Sequence, residues 1–154
     1  MFREMRRQDR MLSEEEAMQI VENGRFGVLS VMGEDGYPYG VPVHYILEGK
    51  SLYFHSTAKG GHKADALKAD PKVSFTVIEM ENDVKGKSAV LFGEAAEVPM
   101  ESRAVLEKIV EKFVPQAAWE LAKAGIPYAL ENVTVYELKI RRITGKRIDK
   151  PEGR

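Results

Sequence analysis

The residues best equipped for chemistry lie in one stretch, Tyr53-Phe54-His55-Ser56-Thr57-Ala58-Lys59-Gly60-Gly61-His62-Lys63. It opens as a strand, breaks into a loop of small residues and enters a short helix carrying two cations. The Ser56 and Thr57 hydroxyls, the free N–H groups at Gly60-Gly61, and the His62 and Lys63 side chains at a helix start are the equipment for holding a phosphate. The spacing is neither the GxxxxGK[ST] of a P-loop nor the GxGxxG of a dinucleotide fingerprint.

The hairpin before this loop supplies a second set of candidates. With Glu48-Gly49 as a two-residue turn, Leu47 pairs with Lys50, His44 lies opposite Tyr53, and Pro42 lies opposite His55. Val41, Val43, Tyr45, Leu47, Leu52 and Phe54 then share a core face. Pro42, His44, Ile46, Ser51, Tyr53 and His55 share a mixed face holding two imidazoles. Pro42 cannot donate a ladder hydrogen bond, so its strand is expected at a sheet edge, with backbone open to a flat ligand along residues 41–44. A phosphate at one end and a planar ring along the other suit FMN. His44 and His55 are the groups able to handle protons beside such a ring. The three histidines, His44, His55 and His62, lack short ligand spacing, and no metal site is expected.

These groups must be positioned by a chain of 154 residues, 44% hydrophobic and 31% charged, with net charge -1. One domain is expected. The balanced charge argues against a broad nucleic-acid surface. Positive charge gathers at the ends, as Arg3, Arg6, Arg7 and Arg10 and as Arg141, Arg142, Lys146 and Arg147. Such clusters form either solvated tails or an end that closes over an anion. The sequence has no cysteine, which removes disulfides, thiolate nucleophiles and iron–sulfur clusters. No apolar run nears the roughly 20 residues of a membrane span, and the start is charged, so a cytoplasmic location is expected.

Ser13-Glu14-Glu15-Glu16 is a capping box opening a helix that ends at Asn23-Gly24. Strands are expected at 26–32, 38–47, 50–55, 72–80, 88–98 and 133–143, with a bulge or kink at Gly93. Helices are expected at 62–69, stopped by Asp70-Pro71, from Pro99 to Phe113, and around Trp119 and Leu121. The pattern describes a mainly β protein, a small antiparallel barrel with peripheral helices.

The chain resembles the pyridoxamine 5′-phosphate oxidase-like FMN-binding split barrels, nearest the nitroimidazole-resistance branch, from about Leu12 to Ile148. The resemblance rests on the order and spacing of Gly27-Val28-Leu29-Ser30, Tyr37-Pro38-Tyr39-Gly40-Val41-Pro42-Val43-His44-Tyr45, Leu52-Tyr53-Phe54-His55-Ser56 and Gly61-His62-Lys63. Further on it includes Asp70-Pro71-Lys72-Val73-Ser74-Phe75, Ser88-Ala89-Val90-Leu91-Phe92-Gly93-Glu94-Ala95 and Ile143-Thr144-Gly145-Lys146. It implies a six-stranded Greek-key split barrel spanning 1–154, with an arm at 1–12 and a tail at 149–154. It also implies a homodimer with two FMN at the subunit interface.

By position, Val41, Pro42, Val43 and His44 would run beside the isoalloxazine. His55, Ser56 and Thr57 would lie near the ring and phosphate tail, and Gly61, His62 and Lys63 would hold the phosphate. Ser88 would contact the ring or ribityl chain, from the same or the other subunit. The implied activity passes electrons from NAD(P)H through FMN to a small acceptor such as a nitroaromatic. Alternatives are a flavin-binding module for storage or sensing, or a deazaflavin- or haem-binding member of the fold. The chain departs from the oxidase in three ways: His62-Lys63 replaces an Arg-Lys pair, His44 replaces a strand lysine, and the substrate-phosphate Arg/His set is missing. Vitamin B6 oxidation is therefore not expected. The C-terminal histidine of haem-degrading relatives is missing too.

Overall fold

The computed structural model describes residues 2–57 and 61–149. Most of the expected tail, residues 58–60 of the expected phosphate loop, and the Thr57 side chain lie outside the described residues.

Among the described residues eight strands form one antiparallel sheet: β1 (Met11–Leu12), β2 (Phe26–Met32), β3 (Pro38–His44), β4 (Ile46–Glu48), β5 (Ser51–Thr57), β6 (Lys72–Met80), β7 (Gly86–Glu97) and β8 (Val133–Arg147). Six are long and match the expected set. The two extra are the short β1, which pairs with β8, and β4, split from β3 at Tyr45. The pairing order is β3-β2-β6-β7-β8-β5-β4. Its two ends, β3 and β4, are separated in the chain by Tyr45 alone, so the sheet must curl back on itself. The result is a split barrel.

Among the described residues five α-helices accompany the sheet: α1 (Glu14–Asn23), α2 (His62–Ala69), α3 (Ser102–Phe113), α4 (Trp119–Ala124) and α5 (Ile126–Asn132). At the start of α1, the Ser13 hydroxyl accepts from the Glu16 N–H at 3.1 Å, and the Glu16 carboxylate accepts from the Ser13 N–H at 3.2 Å, closing the expected box. Ala17, Ile20 and Val21 then bury one helical stripe in the barrel.

Gly93 marks the expected irregularity, but the extra residue is on the opposite strand. Phe92 pairs with Arg142 and Gly93 with Ile140, leaving Arg141 bulged. A Cβ at Gly93 would stand 2.0 Å from the Lys139 carbonyl oxygen, so the bulge closes only over glycine.

The hairpin register differs from expectation. Glu48 pairs with Ser51, Leu47 with Leu52 and Ile46 with Tyr53, so the turn is Gly49-Lys50. Gly49 has φ 59°, and the first central place of a tight turn is where glycine's freedom is needed. The core face survives this shift of two residues, because side chains alternate with period 2. Leu52, Phe54, Val43 and Tyr45 are buried in the barrel, with Val41 and Leu47 packed against them. The cross-strand partners of His44 and Pro42 do not survive. They pair with Phe26 and Val28 of β2 instead of with β5.

Tyr45 explains the divergence. Its buried hydroxyl donates to the Val21 carbonyl at 2.6 Å and its ring meets Phe75 edge-on at 5.1 Å, pulling the backbone out of the ladder. Beyond it, Ile46 enters a second core with Val105, Leu106, Ile109, Ile126 and Val135, against which Tyr53 packs. Part of the face expected to lie open is therefore roofed by α3 and α5.

Candidate functional site

Among the described residues β3 pairs only with β2, which makes it the edge strand that Pro42 implied. β5 pairs with β8 along its length but with β4 only through residues 51–53. A seam therefore runs between the outer edge of β3 and the end of β5. Val41, Pro42, Val43 and His44 line one side, and His55, Ser56 and the Thr57 backbone line the other. The backbone groups along these edges have no strand partner there and are open to a ligand.

Lys63 and Ser56 show what kind of ligand fits. Lys63, in the first turn of α2, sits half-buried with its Nζ 5.8 Å from the centre of the Phe54 ring. Burial alone pushes its pKa below the ordinary lysine value, and among the described residues it makes no ion pair. The Ser56 hydroxyl is buried and has no hydrogen-bond partner of good geometry, although it lies near enough to Tyr136 to offset slightly the rise that burial gives that phenol. A partly desolvated cation in the first turn of a helix is a group that an anion would satisfy, and a buried hydroxyl such as that of Ser56 on β5 needs a partner of its own.

Gly61 caps α2 with φ 110°, a conformation suited to glycine, and accepts from the Asp65 N–H at 3.1 Å. His62 is exposed and stacks on Tyr39, ring centres 4.4 Å apart and 6° from parallel. It lies over Gly33, where a Cβ would come within 2.7 Å of its Nε2. Tyr39 is an edge-strand aromatic that sequence reasoning assigned no role, yet it fixes the His62 ring.

The two candidate proton-handling residues are brought together across the seam instead of along a ladder. Burial lowers the pKa of His55 below its ordinary value, and the charges of Lys63 and His44 lower it further. His55 is therefore neutral near pH 7, with one N–H to donate and one lone pair to accept. A role for His55 as a standing cation is not supported.

His44 is exposed and held between two rings, Phe26 of β2 and Phe113 at the end of α3, each with its centre 4.2 Å away. Arg25 and Lys112 flank Phe113 at 5.0 and 5.2 Å. Phe26 and Phe113 escaped the sequence reading. The available signal was an outward-facing Phe opening β2 and a Phe ending the α3 stripe.

Because His55 loses affinity for protons on folding, acid should destabilise the native state. Below the imidazole's ordinary value of 6.5, the unfolded chain binds a proton that the folded one resists, so stability falls as pH drops through the folded value. Urea unfolding at neutral pH and about one unit below 6.5 should show this loss in the native protein, and a smaller one in His55→Gln.

Ser88 is the one candidate that the single chain does not bring to the seam. It is 7% exposed and pairs with Ile78 and Lys146 in the middle of the sheet. There it lines a separate cavity of about 230 Å³ with Arg3, Arg142 and Lys146. A larger cavity, about 510 Å³, lies on the outer face between Ser30, Met32, Ser74, Phe92 and the N-terminal Phe2.

A curled antiparallel sheet split along one seam, with a cation-bearing helix at the seam's end, defines the split-barrel type of fold. Comparison with known proteins narrows this. A family model described as pyridoxamine 5′-phosphate oxidase matches residues 13–147, and the chain belongs to that family. An uncharacterised protein of Rhizobium meliloti (strain 1021) is 34% identical over 90 residues, and the match spans 58% of each chain.

Among known structures, a candidate 5-nitroimidazole antibiotic resistance protein from Bacteroides thetaiotaomicron VPI-5482 superposes with TM-score 0.74 at 21% identity. That match covers 89% of this chain and 86% of the other. A FAD-binding protein from Mesorhizobium loti superposes with TM-score 0.66 at 26% identity, covering 90% and 96%. The family is one of flavin-binding and oxidase-like proteins.

Proposed function

We propose that this chain is an FMN-dependent oxidoreductase. It works as a homodimer with FMN at the subunit interface and passes electrons from NAD(P)H to a small acceptor such as a nitroaromatic. The observation that carries the reading is the half-buried Lys63, which makes no ion pair among the described residues, at the end of an open strand edge.

Lys63 supplies the charge for the cofactor phosphate, and His62, fixed by Tyr39, adds a donor. The Gly61 turn exposes backbone N–H groups, and Ser56 gains the partner it lacks. The open edge of residues 41–44 offers main-chain groups to the polar rim of a flat ring, and Pro42 keeps another strand from occupying that edge. Bound FMN supplies the two-electron chemistry. His55, neutral and half-buried, can hold or pass one proton at the ring's edge, and His44, fixed between Phe26 and Phe113, presents a second imidazole nearby.

The dimer is supported by the outer face of the sheet. The outward residues of β2 are Phe26, Val28, Ser30 and Met32, and those of β3 are Pro38, Gly40, Pro42 and His44. β6 continues the face with Lys72, Ser74, Thr76, Ile78 and Met80. Apart from Lys72 at the start of β6, none carries a carboxylate, ammonium or guanidinium, and Phe26, Ile78 and Met32 are 60%, 61% and 52% exposed. An apolar sheet face of this extent is the usual sign of an interface, and two copies meeting face to face bury it symmetrically. That face borders the seam through His44 and carries Ser88 at its far side, so a second copy is the natural route by which Ser88 reaches a cofactor.

The test is anaerobic reduction. Purified protein should carry the yellow absorbance of oxidised flavin, and excess NAD(P)H should bleach it. Flavin that stays oxidised in excess NADH and NADPH would contradict the reductase reading.

A further inference from the structure

We infer that the side-chain amine of Lys112 is a site of covalent modification, a nucleophile held at a cavity between β4 and α3 and suited to small aldehydes. This goes beyond the FMN reading and does not rest on it.

Lys112 lies in the last turn of α3 and is half-buried. Its Nζ donates to the Tyr45 carbonyl at 2.8 Å, at the point where the strand breaks between β3 and β4. It stands 4.2 Å from the centre of the Tyr45 ring and 5.2 Å from that of Phe113. An ammonium has three N–H donors, and among the described residues that one carbonyl is its only hydrogen-bond acceptor. A neutral amine is better suited to such a setting, since it donates once and keeps a free lone pair. The ring faces attract a cation, but at a site open on one side by less than the tenfold that one pKa unit represents.

The surrounding charges leave the amine uncompensated. The cavity measures about 380 Å³, and its carboxylates are Glu22, Glu48 and Glu111. Glu48 is paired with Lys108, and Glu111 with Lys123 at 2.7 Å. Lys112 makes no ion pair among the described residues. Glu22 faces it from α1 and favours its charged form, and Arg25, just beyond α1, opposes it. Burial outweighs both and brings the pKa down to about 8. At pH 7 roughly a tenth of Lys112 is then the neutral nucleophile, against roughly one part in a few thousand for an ordinary lysine. No residue lining this cavity belongs to the seam or to the outer face of β2, β3 and β6.

The amine nitrogen adds to the carbonyl carbon of an aldehyde. The carbinolamine then loses its oxygen as water, leaving an imine. One C=N bond replaces one C=O bond, two N–H bonds are lost to the water formed, and nothing is oxidised or reduced. Glu22 makes no ion pair among the described residues and acts on Lys112 electrostatically, so it is the carboxylate able to pass a proton between the nitrogen and the departing hydroxyl. Ile46 and Leu47 also line the cavity, which favours a short aliphatic aldehyde over a charged one.

Reductive alkylation tests the site. The native protein is treated with propionaldehyde, cyanoborohydride reduces the imine to a stable secondary amine, and the labelling rate of each lysine is read by peptide mass spectrometry. At pH 7 Lys112 should be labelled about tenfold faster, or more, than the exposed Lys50 and Lys68. The excess should shrink as pH rises from 8 to 10, because Lys112 is then already neutral while the exposed amines are still losing protons. It should vanish in urea-unfolded protein. Labelling of Lys112 no faster than that of Lys50, or a preference that persists in urea, would overturn the inference. Saturating FMN keeps the two claims apart. It should protect Lys63 and leave Lys112 unchanged; failure to protect Lys63 counts against the FMN reading alone, and protection of Lys112 would overturn the separateness of this site.

Discussion

Replacing Lys63 by alanine should weaken FMN binding by about 1.5–3 kcal/mol, roughly ten- to a hundredfold in Kd. The size follows from the state of the amine. It is half-buried, its pKa is depressed by desolvation alone, and among the described residues no carboxylate compensates it. A phosphate at this position would form a charge-assisted bond in a partly dry setting, where such bonds are strongest. Lys63 also lies against Phe54, which stacks on Tyr136 at 5.2 Å, so truncation removes charge at the rim of a rigid aromatic platform without opening the core. Fold stability should therefore change little. Fluorescence titration of flavin-free protein with FMN gives the affinity, and an unchanged Kd in Lys63→Ala would remove Lys63 from the phosphate site.

Val28→Glu should convert the dimer to a monomer and release the cofactor with it. Val28 sits at the middle of the outer face, in the cross-sheet row Pro42, Val28, Thr76, Val90 and Thr144. It is 40% exposed in the single chain, so a carboxylate there is solvated in the monomer and fold stability is spared. In a symmetric interface the substitution places two like charges together in an apolar setting, at a cost of several kcal/mol. Light scattering should report half the native mass, and gel filtration should separate the protein from free flavin. A monomer that keeps its flavin would contradict a site shared between subunits, and an unchanged mass would place the interface elsewhere.

Much of this was legible in the sequence because strong local rules govern it. β6 spans Lys72–Met80 as its Val73, Phe75 and Val77 alternation indicates, and α2 ends before Asp70-Pro71. Gly93 signalled a bulge because a side chain there would strike a neighbouring strand. The hairpin register was misplaced because Glu48-Gly49 and Gly49-Lys50 are both acceptable turns locally. The choice falls to where Gly49 takes positive φ and to Tyr45, whose hydroxyl reaches the distant Val21 carbonyl. That error joined His44 to His55 along a ladder, whereas the fold brings them together across a seam.

The same limit applies to α5, where the sequence reading left 126–132 without an element, although Ile126 is buried in the second core. Of the candidate site, the composition of the phosphate loop was readable, but its long-range supports were not. Tyr39 on His62 and Phe113 on His44 are tertiary contacts that no local pattern encodes. Ser88 remains apart in the single chain, so its part in the site belongs to the proposed dimer.

The central claim, that the seam and the Lys63 loop hold FMN, is tested most directly by mass spectrometry of the small molecule released when the purified protein is denatured. FMN, in a ratio approaching one per chain, is the predicted result. Release of a deazaflavin or haem in its place, or recovery of no flavin even after the protein is incubated with FMN and desalted, would contradict it.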